Sequence, residues 1–417
     1  MMPDASLLTG FALSALGFAS ILTRPGRGGV CIGLGLGIGF LSKGLLAPGV
    51  MGVTALAVPV LFPQWRTVAY RRGMAIAAAV PPPCLLIWPL ALYLRSPALF
   101  MEWFCANNIG RFVGFSVERL GTEHLPWFWT KTIPWFTFPA LPLALWSLWR
   151  ARHTALREPG IQYCVIAFGV LMALLAVSSS GRAVYAWPLI VPLAILAAPG
   201  AMSLSRRANQ LWAGSSFVLF GLLSATIWTG WLIMMLTGAP PAWPRLPILL
   251  PADFVRVFSV STAVLGVLVS VGSLSIWQQL RKQSGSGLAA WTIGLTLTWS
   301  LLMTLWTPWL DYAKSYRSVF MSMPIPPKVN CVASVNLGEG ERAMLRYVTG
   351  HNPVRQEVAP AAPCRLLLVQ REAKFGEPEI DPASWEIGQT CWVITFKRAP
   401  AWRRIKARSG WARQRLR

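Results

Sequence analysis

The residues best suited to chemistry in this sequence are charged side chains at the edges of long apolar runs. Asp4, Lys43, Arg95, Glu102, Arg111, Glu118, Glu123, His124, Lys131, Arg182, Lys314 and Arg317 all fall there. A charge at membrane depth is costly, so such residues face a cavity or pair with one another. Several cations beside apolar, aromatic segments suit a lipid that carries phosphate. Lys and Arg hold the phosphate oxygens, and apolar helices hold the tail. A carboxylate nearby has the chemistry of a general base toward an acceptor hydroxyl or amine. The most polar stretch is "CANNIGRFVGFSVERLGTEHLPWFWTK", residues 105–131, which ends in a run of aromatics.

Each of these residues also has a plain structural use. Lys43 can snorkel to an interface, and Asp4 can be a helix N-cap. Arg111 can pair with Glu102 or Glu118, His124 can cap or pack against Trp127, and Arg182 can anchor an interface. His153 sits among arginines and His351, in "TGHNP", reads as a turn residue. The sequence carries no nucleotide-binding, HExxH, Ser-His-Asp or Cys-His signature.

The elements that must position these residues are apolar. Of 417 residues, 54% are hydrophobic and 13% charged, with a mean hydropathy of +0.51. This excludes an ordinary soluble chain. About ten apolar runs approach the length needed to cross a bilayer: 5–22, 28–42, 45–62, 74–94, 132–149, 161–179, 184–201, 211–236, 254–276 and 288–310. The second and third are short and separated by Ser42-Lys43-Gly44, as in a broken pair. Trp residues cluster at segment ends, as in an interfacial belt.

The net charge of +23 is explained by topology rather than by nucleic acid. Arg66, Arg71 and Arg72, then Arg150, Arg152 and Arg157, then Arg206 and Arg207, then Arg281 and Lys282, occupy every second connection. That is the positive-inside pattern. It places both termini and the 95–131 connection on the outer face, together with the Pro-rich "TGAPPAWPRLPILLPADF". The basic tail from Arg398 to Arg417 carries Trp402 and Trp411, and is either a solvated end or a contact for anionic headgroups. The opening "MMPDASLLTGFALSALGFASILT" lacks a positive n-region and a cleavage site, so it reads as a membrane helix rather than a secretory signal.

Residues 1–322 form the expected membrane domain and 323–417 a soluble α/β domain. In the latter, "VNCVASVNL" and "CRLLLVQ" read as strands. "GEGERAMLRYVTG" reads as a helix ended by Gly, and "SWEIGQTCWVITFKR" as a hairpin-like pair. Gly before the helix in "LGEGER" lacks P-loop spacing and reads as an ordinary loop. Of seven cysteines, Cys31, Cys84 and Cys164 lie in apolar segments, where Cys is a small filler. Cys331, Cys364 and Cys391 lie in the soluble domain. If that domain is periplasmic, a Cys331–Cys364 disulfide is the first choice.

Several motifs resemble those of polyprenyl-phosphate-sugar glycosyltransferases of the GT-C fold, the group of the protein mannosyltransferases and the lipid A aminoarabinose transferase. "GLGLGIGFLSKGLLAP" resembles their Gly-rich helix ending in a Phe-Leu-Thr-Lys-Gly-like motif, and "NNIGRFVG" their Asn/His-Ile/Leu-x-Arg-Phe motif. "EHLPWFWTKTIPW" is similar to the His-x-Pro-aromatic stretch that follows. "RAVYAWPLIVPLAIL", from Arg182 onward, resembles their Lys/Arg-x-x-Tyr-x-x-Pro-Leu helix, and "MMPDASLLTGFAL" the internal Asp that opens a membrane helix. These matches run in family order from residue 4 to about 200.

The resemblance implies a bacterial inner-membrane enzyme that moves a sugar from undecaprenyl phosphate to lipid A, another envelope glycan or a protein on the periplasmic side. Lys43, Arg111 and Arg182 would hold the lipid phosphate, and Asp4 would be the catalytic-side acid. Asn108, Glu118, Glu123 and His124 would line the substrate loop. Asn108 stands where the aminoarabinose transferase has a metal-binding His. With three histidines in the chain, no cofactor is assigned and a divalent metal has a thin donor set. Relatives begin with further helices and a loop bearing the principal acid, so the expectation is a truncated or inactive member. The alternative is a non-catalytic polyprenyl-lipid-binding protein or transporter, the latter disfavoured by the lack of two matching halves.

Overall fold

A computed structural model describes residues 3–115, 127–178, 181–238, 258–281, 285–314, 317–321, 331–335, 337–356, 364, 366–372, 390–396 and 406–407. Six of its helices are long and apolar enough to cross a membrane: Val68–Arg95, Pro159–Val177, Ala183–Met202, Arg206–Thr237, Val260–Leu280 and Ser286–Leu305. The shorter apolar helices Asp4–Ser20 and Leu46–Leu61 join them. The chain is a multi-pass membrane protein. It divides into two compact units, Met1–Arg206 and Arg207–Arg417.

The first unit opens with α1 (Asp4–Ser20), α2 (Pro25–Lys43) and α3 (Leu46–Leu61). Glycine sets how closely α1 and α2 approach. A Cβ on Gly10 would lie 2.6 Å from the Gly35 carbonyl oxygen, and one on Gly17 would lie 2.7 Å from that of Gly28. These contacts make the two helices antiparallel. Without a hydrophobic driving force between helices in lipid, such small-residue seams are what let backbones associate. The opposite face of α2 packs on α4 (Val68–Arg95), where a Cβ on Gly33 would meet Val80 Cβ at 2.6 Å. The turn between α2 and α3 needs Gly44, whose φ is +59°. The short pair expected from sequence is thus two helices hinged at one glycine.

At the other end of this unit the α3–α4 corner is tied to the start of α7 (Pro159–Val177). Gln162 accepts hydrogen bonds from Gln64 and from the buried Trp65 indole, at 2.5 and 2.7 Å, and donates to the Leu156 carbonyl. Phe18 stacks on Tyr163 and meets Trp65 edge-on, joining α1 to the same corner. The run expected at 132–149 is divided into α5 (Phe128–Phe136) and α6 (Ala140–Arg150). Pro139 between them has no N–H to continue the ladder. A 3₁₀ turn, Ala183–Leu189, leads into Ile190–Met202, together forming α8.

The connection that begins at residue 95 is helical in its described part. Pro97–Met101 is α-helical, Glu102–Gly110 forms a nine-residue π-helix, and Arg111–Val113 returns to α. Residues 116–126, with Glu118, Glu123 and His124, lie outside the described residues.

The second unit holds α9 (Arg206–Thr237), α10 (Val260–Leu280), α11 (Ser286–Leu305) and a five-stranded sheet. Trp231, Met234, Leu301, Leu305, Trp306 and Trp309 form a buried cluster where α9 meets the end of α11. The strands are β1 (Val332–Val335), β2 (Pro353–Arg355), β3 (Leu366–Glu372), β4 (Thr390–Phe396) and β5 (Lys406–Ala407), in the order β2-β1-β3-β4-β5. The helix α12 (Glu339–Thr349) joins β1 to β2 and ends at Gly350 with φ +76°, as the sequence indicates.

Two readings of this region change. β2 is a strand the sequence did not reveal, because three residues carry no period. β4 pairs in parallel with β3 and antiparallel with β5, while the rest of "SWEIGQTCWVITFKR", where a hairpin partner was expected, lies outside the described residues. Cys331 and Cys364 precede the adjacent parallel strands β1 and β3 and form a disulfide, with Cα atoms 4.9 Å apart.

Candidate functional site at one end of the first unit

Asp4 is the first residue of α1 and the only charge in it. It is 4% exposed and makes no capping hydrogen bond, so the N-cap role falls away. A carboxylate in the first turn does face the positive end of the helix dipole. Lys43 is the last residue of α2. Because the glycine seam holds α1 and α2 antiparallel, the start of one lies beside the end of the other. The Lys43 ammonium therefore reaches the Asp4 carboxylate at 2.5 Å. It also lies 4.3 Å from the centre of the Tyr185 ring, within cation–π range. Lys43 is fixed by an anion on one side and a π face on the other, while its side chain keeps 19% exposure.

The next residues attach the π-helix to this pair. The Leu45 N–H donates to Asn108 Oδ1 at 3.1 Å, and Asn108 Nδ2 donates to the Trp103 carbonyl at 2.8 Å. Asn107 Nδ2 likewise donates to the Glu102 carbonyl. Each amide bonds a carbonyl five residues back, reinforcing the widened turns of a π-helix, a rare conformation that is frequent at functional sites. Trp103 meets Phe40 and Trp88 edge-on at 6.0 and 4.8 Å, and Phe100 and Phe104 extend the aromatic wall. An ammonium thus sits at the rim of an aromatic, apolar surface.

Arg111 follows three residues after Asn108 and begins the closing α-turn. Arg182 is exposed, and its carbonyl accepts from the Tyr185 N–H at 2.9 Å, so it belongs to the turn that covers Lys43. Asp4, Lys43, Asn108 and the Arg182–Tyr185 turn are therefore one cluster.

Comparison with known proteins shows what the chain as a whole resembles. Over 277 residues the chain is 27% identical to the undecaprenyl phosphate-alpha-4-amino-4-deoxy-L-arabinose arabinosyl transferase of Enterobacter sp. (strain 638), covering 62% of this chain and 46% of that protein. Over 202 residues it is 30% identical to a second such transferase from Pseudomonas fluorescens (strain Pf0-1), covering 46% of this chain and 35% of that one. No model of a protein family matches. The crystal structure of ArnT from Cupriavidus metallidurans bound to undecaprenyl phosphate superposes with a TM-score of 0.56 at 15% identity, covering 94% of this chain and 69% of that chain. This chain is a relative of the aminoarabinose transferases. It spans about half, or less, of the length of the curated relatives it matches. The polytopic GT-C-type fold with a small α/β domain, expected from the motifs, is the fold observed.

Against this aminoarabinose-transferase background Asn108 has a defined use. Its amide oxygen and nitrogen are both engaged with backbone, so it braces the π-helix rather than offering a ligand. Among the described residues, no three His, Cys, Asp or Glu side chains come together.

Three features escaped sequence reasoning: the direct Asp4–Lys43 pair, the Tyr185 face under Lys43, and the aromatic wall. A signal for the first was present. A lone acid opening one apolar segment and a lone base closing the next are natural partners if the segments are antiparallel.

Proposed function

We propose that this chain works as a bacterial inner-membrane glycosyltransferase. It would take a sugar from undecaprenyl phosphate and pass it to lipid A or another envelope acceptor on the periplasmic side. The observation that carries this reading is the Lys43 ammonium, held by Asp4 and Tyr185 at the rim of an aromatic surface. It has the charge for a lipid phosphate and the surroundings for a polyprenyl tail.

In the reaction, an acceptor oxygen forms a bond to the anomeric carbon as the bond to the phosphate oxygen breaks. The acceptor proton passes to a base, and polyprenyl phosphate leaves. Lys43, with Arg111 and Arg182, would neutralise the departing phosphate. Asp4, already bonded to Lys43, is a positioning residue in this scheme. Glu118, Glu123 and His124 would supply the acceptor side of the loop.

Supporting the topology, the connections that carry Arg66 and Arg157 meet at the α3–α4 corner, at the end of α3 away from Lys43. The Cys331–Cys364 disulfide is of the kind that persists in an oxidising compartment. On this reading residues 1–322 are the membrane domain and 323–417 a periplasmic domain with a basic tail.

A non-catalytic polyprenyl-phosphate-binding role is the second reading, favoured by the commitment of Asp4 to Lys43. Mass spectrometry of lipid A and envelope glycans, with and without the gene, separates the two. Loss of a sugar supports transfer. Unchanged glycans together with tight undecaprenyl phosphate binding support the binding role, and neither effect sinks both.

A further inference from the structure

Gly44 and Leu45 separate Lys43, at the end of α2, from the first turn of α3. Gly44 takes a left-handed φ of +59°, and its N–H closes α2 by bonding the Phe40 carbonyl at 2.7 Å. The next N–H, that of Leu45, stands just before α3, where the helix supplies no partner. Asn108 supplies one from the π-helix, with its Oδ1 3.1 Å away, while its Nδ2 donates to the Trp103 carbonyl at 2.8 Å. Trp103 in turn meets the Phe40 ring edge-on at 6.0 Å. One amide therefore closes a circuit from the Lys43 end of α2, across the hinge, through the π-helix and back to α2.

Asn107 shows that the π-helix alone does not require this tie. Its Nδ2 makes the matching bond, to the Glu102 carbonyl five residues back, at 3.2 Å. Among the described residues it makes none to the hinge. The fit between Asn108 and Gly44 is close as well, because a Cβ on Gly44 would run into Asn108 Oδ1. Glycine has the least restricted backbone of any residue. A glycine hinge beside a cation therefore holds one geometry only when an outside group clamps it.

We propose that Asn108 is a positioning residue of the donor-lipid site. Its amide sets the Lys43 ammonium against the aromatic wall of Phe40, Trp88 and Trp103, so that one lipid meets both with its phosphate and the start of its tail. Asn108 itself touches neither phosphate nor sugar; it acts through the Gly44 hinge. The proposal rests on the reading of Lys43 as the phosphate-holding cation.

Binding of undecaprenyl phosphate to the full chain in detergent, measured by native mass spectrometry, tests it. Asn108→Ala should weaken binding about tenfold. Asn107→Ala, which loses the matching π-helix bond but not the hinge tie, should stay within about twofold of the unaltered chain. Gly44→Ala, which pushes Asn108 from its place, should weaken binding as Asn108→Ala does, and carries the comparison with Asn107→Ala if Asn108→Ala does not fold. The Gly44→Ala/Asn108→Ala double variant should lose no more than Gly44→Ala alone, because both changes release the same clamp. A purely structural role would lower melting temperature without this pattern in binding. Undiminished binding by Asn108→Ala, with binding lost in Lys43→Ala, overturns the proposal and leaves the phosphate assignment standing. Equal losses in Asn107→Ala and Asn108→Ala, or additive losses in the double variant, also overturn it. Undiminished binding by Lys43→Ala removes the phosphate assignment itself, and this proposal with it.

Discussion

At the scale of single residues, Asp4 and Lys43 govern the site. Removing one member of a buried ion pair costs about 3–5 kcal/mol because the other charge is stranded. The two sides are unequal here. Asp4 is 6% exposed at its side chain and Lys43 is 19%. Lys43→Ala should therefore lower stability more than Asp4→Asn, which leaves an ammonium able to reach the surface; thermal melts of the two variants decide it. Lys43→Ala and Arg111→Ala should each also weaken binding of undecaprenyl phosphate by about tenfold or more. Undiminished binding in both would remove the phosphate assignment. Asn108→Ala leaves the Leu45 N–H and the Trp103 carbonyl without their side-chain partner. About 1–3 kcal/mol of stability should go with it, readable as a drop in melting temperature.

At the scale of elements, the device that creates the site is the glycine seam of α2. Gly33→Leu would drive a side chain into Val80 and the Ala77 carbonyl, which lie 2.6 and 2.9 Å from the ideal Cβ. Backbone does not yield as a side chain does, so α2 must shift away from α4 and the Lys43 end with it. The expected outcome is loss of the folded monodisperse protein in detergent, whereas Gly26→Ala, where a Cβ meets nothing within 4 Å, should be silent. The Gln162 corner is a second such device: one amide satisfies the Trp65 indole and ties the α3–α4 corner to α7.

For the whole molecule, the disulfide and the basic connections bear on one topology. A Cys331–Cys364 bridge should resist alkylation until a reductant is added, in cells as in the purified chain. Replacing both cysteines with Ser should destabilise the α/β domain by about 2–4 kcal/mol. Reporter fusions after residues 66, 152 and 282 should read cytoplasmic, and one after residue 356 periplasmic. A cytoplasmic reading at 356 would reverse the proposed orientation.

The membrane character, the approximate positions of the apolar segments and the helix-then-glycine pattern of α12 were all legible in the sequence. Hydropathy, helix period and capping chemistry are properties of neighbouring residues. The resemblance of "FLSKG", "NNIGRF" and "RAVYAWPL" to a glycosyltransferase group was legible too, because short motifs survive in order along the chain. What joined them was not. Asp4 and Lys43 are separated by most of two helices, and only the glycine-controlled closeness of α1 and α2 sets them in contact. Tyr185 reaches Lys43 from a turn far along the chain, and the π-helix is held by Asn107 and Asn108 bonding carbonyls five residues back. β4 took a parallel partner for the same reason: strand pairing is decided by which segment lies alongside, and that is fixed by packing. Local chemistry determined the parts of this protein, and tertiary contact decided which of them face one another.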